Sequence, residues 1–181
     1  MSEDATVRLQ PGHGWRARPG CKIFVADRGA VRFDFPETWA VAPDEANVKL
    51  YDHLPPHDDC CLTVSYFHLP QIDWSGLSLG ALLDAAVREG DRPAQWSRAV
   101  QEMRRLDLEL VWGQVDFIDA ADKREGRSRI CMARRSNLQC LLTLDYWVTD
   151  AATCEAAWDI VVETLELGEF VAGPTRGPVL S

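Results

Sequence analysis

Eleven consecutive residues, YDHLPPHDDCC from Tyr51 to Cys61, hold two histidines, three aspartates and two cysteines. Imidazole, carboxylate and thiolate are the ligands zinc takes, at about 2.0–2.3 Å, from a turn and a second element. His53, His57 and Asp58, with His68 further along, form the candidate set, and an ion held there would support a metal-dependent hydrolase. The spacing argues otherwise. His53 and His57 lie four apart, but Pro55-Pro56 between them forbids the helix that would align them on one face. Two prolines instead favour an extended segment. The residues read best as a solvated connection between strands, with Cys60 or Cys61 entering the core, and no metal or cofactor is expected.

GLSLG at 76–80 is a literal G-x-S-x-G. In a hydrolase elbow an apolar strand precedes it and the histidine follows it in the chain. Here PQIDW precedes, and His13, His53, His57 and His68 all lie upstream of Ser78. Ser78 reads as a helix N-cap. No phosphate loop, HExxH, CxxC or dinucleotide fingerprint occurs.

A third cluster is basic. Lys123, Arg124, Arg127, Arg129, Arg134 and Arg135 fall within thirteen residues of a chain whose net charge is −9. They could dock an acidic partner or phosphate groups, or they could charge a hairpin edge against strand-on-strand pairing. Nucleic acid is disfavoured by the overall charge and by the lack of an aromatic ladder. Trp39, Trp112, Trp147 and Trp158 accompany periodic apolar residues and read as core. Trp74 and Trp96 flank a helix, and an exposed one would mark an interaction patch.

The elements that position these groups follow from periodicity. KIFVA (22–26) and VRFDF (31–35) around DRGA read as a hairpin that buries Val31, Phe33 and Phe35, with Pro36 as its stop. Residues 39–42 and 48–51 are short strands, and 61–69 is a longer one. SLGALLDAAVRE (78–89) changes to a helical period. Residues 98–119 read mostly as strand, with Leu106, Leu108 and Leu110 alternating and a bulge at Gly113. RSRICMARR and LQCLLTLDYWV pair around Ser136-Asn137. DAATCEAAWDIVVETLELG (150–168) is a second helix, capped by Asp150 and stopped by Gly168. The tail AGPTRGPVLS reads as loop. Strands, helix, strands, helix make an α+β protein, an antiparallel β-sheet sandwiched by helices.

The 181 residues suit one domain. We expect an extended N-terminal arm over 1–21, held by Trp15, a single α/β/α domain over 22–168, and a tail over 169–181. The six cysteines (21, 60, 61, 131, 140, 154) show no framework spacing and read as reduced thiols, which points to the cytoplasm. The N-terminus lacks the features of a signal peptide, and no membrane span is expected.

VRFDFPETWAV (31–41), an alternating strand followed by Pro, polar residues and Trp, resembles the opening of the PsbP/Mog/DcrB-like superfamily. The closing AAWDIVVETLEL (156–167) resembles that group's last helix, so the likeness spans about residues 22–168. It implies an antiparallel sheet sandwiched by helices, generally without catalysis. Members include an extrinsic photosystem subunit, a Ran-binding import factor, bacterial lipoproteins and adaptor chaperones. The expectation is therefore a noncatalytic binding or adaptor domain with a protein or peptide partner. The alternatives are the metal-dependent hydrolase and a structural subunit of a larger assembly.

Overall fold

Alternating side chains build two sheets that share one core. The computed structural model describes residues 7–9, 15–43, 47–89, 96–170 and 175–178. Its strands are β1 (Val7–Leu9), β2 (Cys21–Ala26), β3 (Val31–Pro36), β4 (Ala40–Pro43), β5 (Val48–Tyr51) and β6 (Cys60–His68). After helix α1 (Leu79–Glu89) come β7 (Gln101–Arg105), β8 (Leu108–Ile118), β9 (Glu125–Arg135) and β10 (Leu138–Trp147). Helix α2 (Ala151–Thr164), β11 (Glu166–Leu167) and β12 (Thr175–Pro178) complete the order. The main sheet is seven-stranded, β4-β5-β6-β10-β9-β8-β7, beside a three-stranded sheet, β11-β3-β2, and the pair β1-β12.

The register of β10 explains the layering. Leu138, Cys140, Leu142, Leu144 and Tyr146 point to one face, because successive strand residues alternate. On that face they join Leu62, Val64, Leu110, Trp112, Cys131 and Ala133. The same core takes the α2 stripe of Cys154, Ala157, Trp158, Val161 and Leu165, together with Val31, Phe33 and Phe35 of β3. On the opposite face α1 lays Leu79 and Leu83 against Val111 and Met132. The result is the expected antiparallel sheet between helices, α+β in class. Ser78 caps α1 as expected, its hydroxyl accepting the Ala81 amide at 3.3 Å.

Residues 15–18 lie over the small sheet. Trp15 lies 5.4 Å from the Arg32 guanidinium, the Arg18 amide donates to Asp34 at 2.9 Å, and the Arg18 side chain pairs with Glu163. Asp34 is buried by this cover, although strand alternation points it away from the core.

Five other local features differ from the sequence reading. Leu106 does not continue a strand: it sits at a hairpin tip between β7 and β8 with φ 50°. No bulge occurs at Gly113, whose register runs unbroken from Trp112–Cys131 to Gln114–Arg129. The glycine makes room for the Trp96 indole, whose Nε1 donates to Asp84 of α1 at 2.6 Å. Asp150 occupies the N-cap position without a side-chain cap bond, its carboxylate being taken by the Thr149 hydroxyl at 2.6 Å. Helix α2 ends at Thr164, because Glu166 and Leu167 pair with Arg32 and Val31 of β3. Residues 175–178, expected as loop, pair with β1.

A Cβ on Gly113 would lie 2.5 Å from the Trp96 ring. Gly113→Ala is therefore expected to lose about 1–3 kcal/mol of stability, as overpacking does. Urea denaturation checks this, and an unchanged midpoint would contradict the packing of Trp96 on β8.

A candidate binding groove at the turn end of the sheet

The histidine-rich stretch is organised by a residue outside the proposed ligand set. Asp52 Oδ1 accepts the amides of His53, Asp59 and Cys60 at 2.9, 3.1 and 3.1 Å, while Oδ2 faces His53 Nδ1 at 3.2 Å. The carboxylate thus closes the β5–β6 connection into a turn, the solvated connection between strands that was expected. His68 lies at the far end of β6, roughly 26 Å from Cys60 at strand rise, and pairs with Asp27 at 3.1 Å. His53, His57 and Asp58 therefore cannot converge with it. Among the described residues no three His, Cys, Asp or Glu side chains are grouped to hold a metal ion.

All six cysteines are free thiols. Burial pushes Cys131 up to about 12 and Cys140 well above the ordinary range. Cys60 is raised by the neighbouring Cys154 thiol and by burial. None of these groups is an activated nucleophile, since reactivity needs a lowered pKa and exposure.

The six basic residues do not share a surface. Alternation along β9 sends Arg127, Arg129 and Arg135 to the α2 face and Arg134 to the α1 face. Arg129 is 4% exposed. Its Nη2 meets Glu155 at 2.7 Å, Nη1 meets Asp159 at 3.7 Å, and Nε donates to Gln114 at 3.3 Å. Arg127 pairs with Asp116 and Glu155, and Tyr146 also donates to Glu155, at 2.9 Å. Arg135 pairs with Asp107 and Glu169 and donates to the Leu167 carbonyl at 2.7 Å. That guanidinium lowers the Asp107 carboxyl below the usual carboxylate range. Arg124 lies over Trp147 at 4.4 Å and pairs with Asp59 at 3.8 Å, beside the exposed Lys123. The concentration of charge along the sequence is largely balanced in space by carboxylates from other elements.

At the opposite end of the sheet a groove of about 620 Å³ opens on the α1 face. One wall is the loop of Ile72, Asp73 and Trp74; the other is the β7–β8 turn with Leu106. The floor is a cross-strand row in which Arg104 faces Glu109 and Glu109 faces Arg134. Glu109 bridges both guanidiniums, reaching Arg134 at 3.2 Å. Arg134 also donates to the Leu77 carbonyl at 2.8 Å, which ties the loop to the sheet. Leu106 is 99% exposed and Ile72 62%. Trp74 is half-buried, its indole donating to the Pro70 carbonyl at 2.9 Å. Three segments distant in sequence make this site. Only Arg134 and the flanking Trp74 stood out beforehand.

A family model described as Alr1449 matches residues 22–171. The chain belongs to the Alr1449 family. The uncharacterized protein alr1449 of Nostoc sp. is 39% identical over 173 residues, spanning 95% of this chain and 90% of the relative. Solved structures extend the family to a wider fold group. Cyanobacterial PsbP (CyanoP) of Synechocystis superposes with a TM-score of 0.59 at 11% identity, over 82% of this chain and 93% of that one. The Ran-binding protein Mog1p of Saccharomyces cerevisiae gives 0.57 at 11% identity, over 81% and 95%. This chain thus has the PsbP/Mog-like fold that its first strands and last helix resemble. No helix among the described residues is long and apolar enough to cross a membrane.

The burial of the thiols sets an order of reactivity. Iodoacetamide at pH 8 is expected to modify only the half-buried Cys21 and Cys61 in the folded protein, and all six after denaturation. Peptide mass mapping reads this directly. Native modification of Cys131 or Cys140 at the rate of Cys61 would contradict the core described above.

Proposed function

We propose that this Alr1449-family chain is a noncatalytic binding or adaptor domain that engages a protein or peptide partner in the cytoplasm. The partner would be met at the turn-end groove. The reading takes residues 22–168 as one binding body, with the arm over 1–21 and the tail over 169–181 as its flanks.

The observation that carries it is Leu106. A leucine left fully in water forgoes about 1.5–3 kcal/mol of burial, and its left-handed backbone adds strain that glycine or asparagine would avoid. Such costs gather where a surface is used. Ile72 faces the same groove from the other wall, also exposed. The reactive side chains elsewhere support the same class of function, because their contacts are structural: Asp52 builds a turn, the thiols lie in or near the core, and most hairpin arginines are paired. Mog1p, of like fold, is a Ran-binding protein. That supports a protein partner as a kind of role, since fold by itself carries no function.

Leu106→Asp is expected to leave the melting temperature within a few degrees of wild type, as exposed substitutions do. It should weaken capture of the partner from lysate roughly 30-fold, the loss of one interface anchor. Equal recovery of the same partner by both proteins, or turnover of a small substrate with no partner recovered, would count against the reading.

A further inference from the structure

The ionic contacts of the arginines differ from place to place. On the α2 face Arg127 and Arg129 are met by three carboxylates, Asp116, Glu155 and Asp159. Arg135 alone has two, Asp107 and Glu169. In the groove the ratio reverses, for Arg104 and Arg134 share the single carboxylate of Glu109. The two other acidic groups along the groove are engaged elsewhere. Asp107 pairs with Arg135 at 2.8 Å, and Asp73 accepts the Ser75 amide at 2.9 Å within its own loop. Arg134 is 5% exposed, and its Nη1 is buried without an acceptor. A buried guanidinium nitrogen with no partner is costly to leave so. The Arg104 side chain, by contrast, is 75% exposed.

We infer that the groove binds the free C-terminal carboxylate of a peptide whose last residue is bulky and apolar. The carboxylate brings the anion that the Arg104–Glu109–Arg134 row lacks, bonded by the exposed Arg104 guanidinium and adding negative charge beside the buried Arg134. Paired guanidinium donors suit a planar carboxylate. The last side chain then lies against Leu106, Ile72 and the Trp74 ring. Only at a chain end do a carboxylate and an apolar side chain leave the same carbon, so one residue meets both halves of the groove. This deepens the binding role proposed above and rests on it.

Nuclear magnetic resonance titration of the ¹⁵N-labelled full chain tests it with three tripeptides. These are acetyl-Ala-Ala-Leu as the free acid, the same peptide as its amide, and acetyl-Ala-Glu-Leu amide with an internal carboxylate. The free acid is expected to shift the amides of residues 134–137 and the Trp74 indole saturably. It should bind roughly tenfold or more tightly than either amide, the contribution of a charged hydrogen bond. Because Arg134 is buried, Arg104→Gln is the variant of choice, and it should bring the free acid down to the amide's affinity. Equal binding of the three peptides would overturn the carboxylate site while leaving a docking surface. Binding by none of them, with Leu106-dependent capture intact, would overturn it too and spare the wider role. Selective binding of the free acid without Leu106-dependent capture would uphold the site and count against that role.

Discussion

Strand β9 has both faces covered, and an arginine on such a strand needs an acceptor wherever it points. Leaving an ion buried without one costs several kcal/mol. The fold meets this constraint by bringing acids from distant parts of the chain: Glu155 and Asp159 from α2, Asp116 and Glu109 from β8, Asp107 and Glu169 from turns. Helix α2 is thereby held against the sheet by ion pairs at Glu155 and Asp159 alongside its apolar stripe. Its other end is held by Arg105 of β7, which donates to the Val162, Glu163 and Leu165 carbonyls. Cations at a helix C-terminus also complement its dipole.

The same constraint separates structural charge from charge left for use. Once the α2-face arginines are paired, the hairpin no longer offers a basic patch, whatever its sequence density. The end of the sheet at the β5–β6 connection is aspartate-rich and closed by Asp52. The opposite end carries Ile72 and Leu106 in water above two arginines that share one acid. The molecule is therefore unequal end to end, and its apolar, cation-floored end is where we propose that a partner docks.

Much of the fold was legible in local pattern. The β2–β3 hairpin, the β9–β10 hairpin at Ser136-Asn137 and the α2 stripe all follow from alternation or helical spacing, signals that a few neighbouring residues carry. Misreadings arose where tertiary contact overrode that pattern. Leu106, Leu108 and Leu110 alternate like a strand, yet Leu106 and Asp107 turn the chain so that β7 pairs back on β8. Glu166 and Leu167 continue a helical run but are claimed by β3. The candidate site was hardly visible, because its three segments share no spacing and become neighbours only through sheet register. Arg134 differs from Arg135 not in type but in which face it points to, and that depends on the pairing of strands far apart in the chain.

The central claim is that the groove end, not the basic turn, meets the partner. A photoactivatable residue placed at Leu106, and in a separate variant at Lys123, tests this directly when both are irradiated in cells. Discrete cross-linked adducts from position 106 and none from position 123 are the result this account predicts. Adducts from position 123 with none from position 106 would contradict it.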